Sequence, residues 1–177
     1  MLRLRPYKPC DADAIIGWCR DQKTYHLWGG ELIGPYPLSA ETLNEVYFAR
    51  NGLCAEPDNF YPFMAFDGNE PVGHFIIRYP GGDPRVLRLG WVIVDAARRG
   101  QGIGRQMLGL GLKMAFEIMG AEKVTIGVYA QNESGYRCYR ALGFQSVSTR
   151  DTTVGGETWQ VVEMKMGKTQ YFDIATI

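Results

Sequence analysis

The strongest constraint on the fold is a strand–helix–strand pattern over residues 86–128, in which a glycine-rich turn separates the first strand from the helix. "RVLRLGWVIV" and "KVTIGVYA" are short apolar runs typical of buried strands. The helix between them is predicted by apolar residues at helical spacing: Ile103, Met107, Leu110, Met114 and Ile118. Gly120 follows, where glycine is favoured as a helix end. Because strands joined through a crossover helix pair in parallel, the unit predicts one parallel strand pair.

Further helices and antiparallel strands are predicted around this unit. "LRLRPY" alternates apolar and basic residues as a strand does, and Asp11 and Ser39 are predicted N-caps of two helices that follow. Between those helices, residues 25–38 are rich in glycine, proline and aromatic residues and predict a structured loop. "FYPFMAF", "DGNE" and "PVGHFIIRY" predict a hairpin with an Asp-Gly turn. Residues 133–142 predict a short helix, and two strands follow it.

The predicted order is therefore strand, two helices, three strands, helix, strand, helix and two strands. This order predicts an α/β fold of the α+β type, in which helices flank a mixed, mostly antiparallel twisted sheet of about seven strands. No repeat, low-complexity stretch or linker divides the chain. We therefore expect a single domain over residues 1–177.

Charge and composition narrow the classes of partner and compartment. Lys+Arg and Asp+Glu are equal at 19 each, so nucleic-acid and membrane-surface binding, which need a basic excess, are not expected. The N-terminus lacks the apolar core of a signal peptide, and no apolar run is long enough to span a bilayer. With only two histidines in the chain, we expect no metal site, and scattered cysteines suit the reducing cytoplasm. The cysteines are Cys10, Cys19, Cys54 and Cys138.

The glycine-rich turn, "AARRGQGIGRQM" at residues 96–107, has the composition of a phosphate-binding site. A helix N-terminus offers unpaired amides, glycines let a phosphate reach them, and arginine adds charge and forked hydrogen bonds. A Walker-type loop does not fit, because Ile103 and Gly104 follow Gly102 where Lys and Ser or Thr are needed. A dinucleotide fingerprint does not fit either, because the third glycine comes too early. The turn, hereafter the cradle, predicts a pyrophosphate site.

Two motifs resemble the signatures of the GNAT family of N-acetyltransferases. "VIVDAARRGQGIGR" resembles the acetyl-CoA signature R/Q-x-x-G-x-G/A, with Arg99, Gly102 and Gly104 at its fixed positions. "NESGYRCYRALGF", at 132–144, resembles the second signature, an Asn, a Tyr seven residues later and then Gly-Phe. The order of the predicted elements also suits the family. The resemblance implies the GNAT fold, with the sheet splayed between its fourth and fifth strands, and acetyl-CoA as co-substrate.

The resemblance also implies which residues bind acetyl-CoA. In the family, the backbone of the fourth strand pairs with the pantetheine arm, and the cradle holds the pyrophosphate. Gly90 is expected to mark the bulge that opens the slot, and Asn132 to cap the next helix and contact the cofactor arm. Arg98 and Arg99 can equally be solvated surface residues, and we expect this of Arg98. The implied cofactor-binding residues are Val92, Ile93, Val94, Gly100, Gln101, Gly102, Ile103, Gly104, Arg105 and Asn132.

Tyr139 holds the position at which the family's tyrosine protonates the departing CoA thiolate, so we expect it to be the general acid. A backbone N–H near Val94 is expected to stabilise the oxyanion. The general base is a departure from the family. Relatives carry a glutamate at the position of Arg88 or of Gly127, and neither carboxylate is present here. A water chain, Glu31, His74 or no dedicated base at all remain open.

The acceptor is expected to meet the loop at residues 25–38, because in the family this region faces the thioester. Aromatic faces there attract a cation, although a loop packed by its own aromatics has the same composition. The residues expected to contact the acceptor are Tyr25, Trp28, Glu31 and Tyr36, with His26 beside them.

The leading prediction of function is an acetyl-CoA-dependent N-acetyltransferase that acts directly on a primary amine of a small molecule or peptide. One alternative is a non-catalytic acyl-CoA-binding or sensing module, which the missing carboxylates favour. The other is transfer to an O-acceptor, or transfer of a longer acyl group. Neutral charge disfavours ribosomal proteins as acceptors, and the sequence leaves a homodimer open.

Overall fold

Seven strands form one sheet in the computed structural model, which describes residues 1–53 and 59–175. The strands are β1 (Leu2–Pro6), β2 (Phe60–Asp67), β3 (Glu70–Arg78), β4 (Val86–Val94), β5 (Lys123–Tyr129), β6 (Gln145–Val154) and β7 (Glu157–Gly167). Their order across the sheet is β1-β2-β3-β4-β5-β7-β6. β4 and β5 are parallel, and every other neighbouring pair is antiparallel. The predicted mixed, mostly antiparallel sheet is confirmed.

Six helices flank this sheet in the described part of the chain. They are α1 (Ala12–Trp18), α2 (Gln22–Trp28), α3 (Ala40–Leu53), α4 (Ile103–Lys113), α5 (Glu133–Leu142) and α6 (Lys168–Ala175). A π-helical turn extends α4, and Gly120, with a φ of 73°, follows it where a helix end was predicted. α6 has no counterpart in the sequence prediction.

The structure corrects the prediction of two helices between the first two strands, because α2 lies there as well. Its first turn is capped by Asp21, whose carboxylate accepts a hydrogen bond from the Thr24 amide at 2.7 Å. Gly29, with a φ of 84°, ends it. The first part of the predicted 25–38 loop is therefore helical, and a short 3₁₀ turn at Gly30–Leu32 follows.

The two predicted helix caps have different outcomes. Ser39 is confirmed, because its Oγ accepts a hydrogen bond from the Thr42 amide at 3.1 Å. Asp11 lies at the predicted position before α1, but its side chain does not cap the helix. Its carboxylate instead pairs with Arg5 at 2.7 Å and accepts a hydrogen bond from the Lys8 amide at 2.6 Å. The carboxylate therefore stabilises the segment between β1 and α1 and does not bind an amide in the first turn of α1.

β4 and β5 separate after four paired positions. Their register ends at the pair Leu89–Ile126, and beyond it β4 remains paired only with β3. A bulge lies between the β3–β4 pairs Ile76–Gly90 and His74–Ile93. The bulge was predicted at Gly90. The residue with the left-handed backbone is its neighbour Trp91, with a φ of 43°, so the irregularity lies one residue later than predicted. The bulge bends β4 away from β5 and opens the sheet.

Apolar clusters cover both faces of the sheet. β3 alternates between them, because Phe75 and Ile77 pack in the cluster under α4 and Ile76 packs in the cluster under α1 and α3. Gly111 lets α4 approach the sheet, since a Cβ there would lie 2.9 Å from the Phe75 ring. Within the described ranges, no helix is both long and apolar enough to cross a membrane.

Candidate active site

The cradle lies between the end of β4 and the start of α4. Gly100 and Gly102 have φ values of 76° and 77°, a left-handed conformation that glycine adopts without strain. The first hydrogen bond of α4 runs from the Gln106 amide to the Gly102 carbonyl at 3.0 Å. The amides before Gln106 therefore have no partner within the helix, and the dipole of α4 favours an anion there.

Three arginines beside the cradle differ in their bonding. Arg98 pairs with Asp67 at 2.7 Å and donates to the Gln101 side chain at 3.1 Å. Arg99 donates to the Val94 carbonyl at 3.3 Å, and Arg105 has no hydrogen bond or ion pair with any described residue. The expectation that Arg98 is a solvated surface residue is wrong, because this ion pair holds it at the cavity wall.

A cavity of about 540 Å³, the cradle cavity, extends from this turn along β4 to α5. Its polar end is formed by the cradle and its apolar side by β4 and α4. The predicted cofactor residues that line it are Val92, Ile93, Val94, Gly100, Gly102, Ile103, Gly104, Arg105 and Asn132. Gln101 is not among its described lining residues, and its side chain bonds to Arg98 and Ala97 instead.

A second cavity of about 350 Å³, the splay cavity, lies where β4 and β5 separate. Its described walls come mainly from α2, β3, β4 and β5, with single residues from α3, β2, α5, β6 and β7: Arg50, Phe60, Tyr139, Arg150 and Val161. The two cavities meet, because five residues line both: Leu27, Trp28, Val92, Asn132 and Tyr139. These five residues form the wall that the two cavities share, hereafter the junction.

Tyr139 lies at the junction on α5. Burial raises the pKa of its hydroxyl above the ordinary value of 10.0, so the group is protonated at neutral pH. No described residue hydrogen-bonds this hydroxyl, and no fully buried side-chain polar atom in the described part lacks a partner. The hydroxyl is therefore protonated, and its oxygen is not fully enclosed by the described residues.

Asn132 connects the end of β5 with the start of α5. Its Oδ1 accepts a hydrogen bond from the Gly135 amide at 2.9 Å, which confirms the predicted cap. A Cβ at Gly135 would lie 2.9 Å from the Asn132 side chain, so a larger residue there would displace this cap. The cap fixes the position of Asn132 at the junction and the direction of α5 that carries Tyr139.

His74 and Glu31, the two side chains considered as a general base, form hydrogen bonds outside the two cavities. Burial lowers the pKa of His74 to about 3. Its Nδ1–H donates to the Phe63 carbonyl at 2.9 Å, so its Nε2 accepts from the Tyr47 hydroxyl at 2.7 Å. Glu31 accepts from the Gly155 amide at 2.9 Å. Neither is among the described residues that line the cradle cavity or the splay cavity, and those walls contain no described Asp, Glu or His.

An arginine–carboxylate pair lies at the strand positions where the family resemblance implied a glutamate. Arg88 on β4 reaches Glu163 on β7 through two hydrogen bonds of 2.8 and 3.2 Å. Gly127 on β5 makes room for it, because a Cβ there would lie 2.6 Å from the Arg88 Nη2. Arg150 on β6 donates through Nε to the same carboxylate at 3.0 Å.

The structure separates the four residues expected to contact the acceptor. Trp28 lines both cavities and donates through Nε1 to the Trp91 carbonyl at 2.9 Å. The buried Tyr25 hydroxyl lies 2.6 Å from the Gly30 and Gly34 carbonyls, and its ring packs against Tyr36. Tyr25, Glu31 and Tyr36 are not among the described lining residues of either cavity.

Sequence reasoning missed the walls that come from distant segments. Leu27 belongs to the region predicted as a loop, and Arg50, Arg78 and Arg150 lie on three separate elements. No local motif marks these residues. In the described ranges, no cluster of three His, Cys, Asp or Glu side chains is arranged to hold a metal ion. Cys10, Cys19 and Cys138 are free thiols, and Cys54 lies outside the described residues.

Comparison with solved structures supports the fold. Spermidine N-acetyltransferase from Vibrio cholerae in complex with CoA and spermine has 18% sequence identity and a TM-score of 0.80, over 97% of this chain and 98% of that chain. A mutant form of the same Vibrio cholerae enzyme has a TM-score of 0.78 at 18% identity, over 98% of each chain. A chimera of that enzyme with hSSAT has 20% identity and a TM-score of 0.75, over 97% and 98% of the two chains.

A protein-family model assigns the chain to a family, beyond the shared fold. The model of the acetyltransferase (GNAT) family matches residues 21–144, which include the cradle, the splayed strands, Asn132 and Tyr139. The GNAT fold expected from the two motifs is confirmed. The chain therefore belongs to the acetyltransferase (GNAT) family, and it is an acyltransferase whose co-substrate is acetyl-CoA.

Proposed function

We propose that this protein transfers the acetyl group of acetyl-CoA directly to a primary amine of a small molecule or peptide. The observation that carries the proposal is the junction of the two cavities. One cavity ends at the glycine-rich N-terminus of α4, the other lies at the splayed sheet, and Tyr139 lines both. Such a site holds two substrates end to end.

We place CoA in the cradle cavity. The pyrophosphate would lie on the amides of residues 100–105, with Arg105 adding charge. The pantetheine arm would run along the main chain of Val92, Ile93 and Val94, and Asn132 would contact it. Ile93 would act through its backbone alone, because its side chain is buried in the cluster under α1 and α3.

The proposed chemistry forms a nitrogen–carbon bond and breaks the carbon–sulfur bond of the thioester. The departing sulfur takes a proton from the Tyr139 hydroxyl, which is protonated at neutral pH. The acceptor nitrogen loses its proton to water, because no described wall residue is a carboxylate or a histidine. An oxyanion contact from the backbone near Val94 belongs to the same proposal.

Because the described walls contain no carboxylate or histidine to act as a general base, we predict a characteristic pH profile. Turnover of an amine should keep rising towards alkaline pH as the free amine fraction grows, until the pKa of the acceptor itself is reached. Steady-state rates over a pH series check this. A bell-shaped profile whose acid limb lies near neutrality would instead require a dedicated base.

Incubation with acetyl-CoA and a panel of amines tests the proposed function, with thiol release and the mass of the acetylated product measured together. We expect both signals for at least one primary amine, and neither for the same molecule with a tertiary nitrogen. CoA binding without thiol release for any amine, alcohol or peptide terminus would contradict the proposal. Thiol release only with alcohols would replace the N-acceptor by an O-acceptor.

A further inference from the structure

The charged side chains among the described walls of the splay cavity are arginines. Its described walls contain four arginines and no aspartate, glutamate or lysine. The arginines are Arg50, Arg78, Arg88 and Arg150. Arg50 lies over the Trp91 ring, at 4.8 Å from the ring centroid, and also donates to the Leu32 carbonyl. Arg50 and Arg78 both interact with other groups of the protein, so Arg150 and its partners Arg88 and Glu163 are the groups considered as a ligand site.

Arg88, Glu163 and Arg150 form a group with a net positive charge. Burial would raise the pKa of Glu163, but the hydrogen bonds and charges of Arg88 and Arg150 outweigh it and hold the pKa below its usual value. Glu163 therefore stays ionised and supplies one negative charge against two positive ones. The carboxylate orients both guanidiniums and leaves one positive charge at the wall.

Arg150 has hydrogen-bonding capacity left after this pairing. It contacts Glu163 through Nε alone, at 3.0 Å, and its two terminal nitrogens have no partner in the described part of the chain. Its side chain is about half exposed. A guanidinium edge held in place by a carboxylate matches a carboxylate or phosphate through two parallel hydrogen bonds.

We propose that the acceptor amine also carries an oxyanion, a carboxylate or a phosphate, and that Arg150 binds it while Arg88 and Glu163 hold Arg150 in position. This inference rests on the proposed function and specifies its acceptor. A polyamine carries only positive charge and would meet like charges in this cavity. The protein is therefore expected to differ in acceptor class from the spermidine N-acetyltransferases that share its fold.

Matched pairs of acceptors test the inference. Amino acids are compared with their carboxamides, which keep the amine and remove the negative charge, and with diamines and aminoalkyl phosphates of similar length. Binding is measured by calorimetry on CoA-saturated protein, and turnover by thiol release from acetyl-CoA. We expect an oxyanion-bearing amine to bind about ten- to hundredfold more tightly than its uncharged partner. The carboxylate and phosphate arms show which oxyanion is used.

Two variants assign the preference to Arg150. Arg150→Gln should abolish the preference for an oxyanion-bearing amine over its uncharged partner, while the affinity for CoA stays unchanged. Arg150→Lys keeps the charge without the forked geometry and should retain part of the preference. Arg140→Gln is the matched control, because Arg140 is exposed on α5 and lines neither cavity. It should behave as the wild type.

The outcomes separate this inference from the proposed function. Tighter binding or faster acetylation of diamines or carboxamides overturns the inference and leaves the N-acetyltransferase intact. An oxyanion preference that survives Arg150→Gln also overturns it. Tight binding of an oxyanion-bearing amine without thiol release supports the inference and contradicts the proposed function.

Discussion

Among single residues, Arg105 is the most direct probe of the cradle. Arg98 is paired with Asp67 and Arg99 donates to Val94, whereas Arg105 has no partner in the described ranges. It lines the cradle cavity at the start of α4, where the helix dipole already favours an anion. Its charge is therefore available to a phosphate.

Arg105→Gln should weaken CoA binding by about ten- to hundredfold, since a charge-assisted hydrogen bond is lost. Affinity for pantetheine, which lacks the pyrophosphate, should stay the same. Calorimetry with both ligands checks this, and Arg140→Gln is the control with the same change of charge. Equal losses for CoA and pantetheine would remove Arg105 from the phosphate site.

Backbone strain at Trp91 is the second feature at this scale. A φ of 43° is costly for a bulky side chain, so its surroundings must fix it. The ring stacks on Tyr47 at 5.6 Å, and its Nε1 donates to the Gly29 carbonyl at 3.2 Å. These contacts hold the bulge that separates β4 from β5.

At the scale of elements, the Arg88–Glu163 pair bridges three strands. The side chain of Arg88 extends from β4 over Gly127 of β5 and binds Glu163 on β7. The glycine is thus part of the pairing, because any side chain there would displace the guanidinium. The parallel pair β4–β5 gives way to the splay directly beyond this bridge.

Gly127→Ala should lower the free energy of unfolding by about 1–3 kcal/mol, the usual range for overpacking. The added Cβ would lie 2.6 Å from Arg88 and 3.2 Å from Val161. Urea unfolding measures the change. Gly167→Ala on β7 is the control, since its Cβ would meet no atom within 4 Å. Equal stability of the two variants would mean that Arg88 moves aside without cost.

Local periodicity decided how much of the fold could be predicted. The β4–α4–β5 unit was predicted because its apolar spacing and its glycines lie in one continuous segment. α2 was missed because its Asp21 cap and Gly29 end enclose only seven residues, rich in aromatics, that resemble a packed loop. α6 was missed because it follows β7 without a break.

The whole molecule joins two cores through β3, and His74 lies buried on the β3 face that packs against α1 and α3, where its ring stacks on Tyr47. Its neutral form is held by Tyr47 and the Phe63 carbonyl, and burial lowers its pKa from 6.5 to about 3. Between these values the unfolded chain binds a proton that the folded protein does not. Stability from this residue is therefore complete above pH 6.5 and is lost as pH falls towards 3.

Unfolding free energy measured across this window should fall by about 1.4 kcal/mol per pH unit through His74 alone. Carboxylates add their own dependence, so the variant His74→Asn, whose amide can still donate to the Phe63 carbonyl, is measured in parallel. We expect the wild type to have the steeper slope. Identical slopes would contradict the buried neutral histidine.

The candidate site also shows which parts of a site a sequence can predict. The cradle and Tyr139 were predicted because each belongs to a short continuous motif. The splay cavity was not, because Arg50, Arg88 and Arg150 come from three elements that only the folded sheet brings together. Of the four residues expected at the acceptor, Trp28 alone is among the described lining residues. Tyr25 is buried under its own loop, Glu31 binds the Gly155 amide, and Tyr36 is exposed outside both cavities.

Replacement of Tyr139 by phenylalanine tests the central claim most directly, namely that the junction of the two cavities is the reaction centre. The ring and its packing on Phe144 remain, so stability and CoA affinity should change little. Loss of the proton donor should lower kcat by about 10²- to 10⁴-fold. Tyr136→Phe is the control, because the Tyr136 hydroxyl contacts Ser146 and Tyr136 lines neither cavity.

The decisive measurement is kcat for thiol release by the two variants on one amine acceptor, with CoA affinity measured in parallel. The account predicts a loss in Tyr139→Phe alone, with CoA bound as tightly as in the wild type. An unchanged kcat in Tyr139→Phe, or equal losses in both variants, would show that Tyr139 is a packing residue and that the chemistry lies elsewhere.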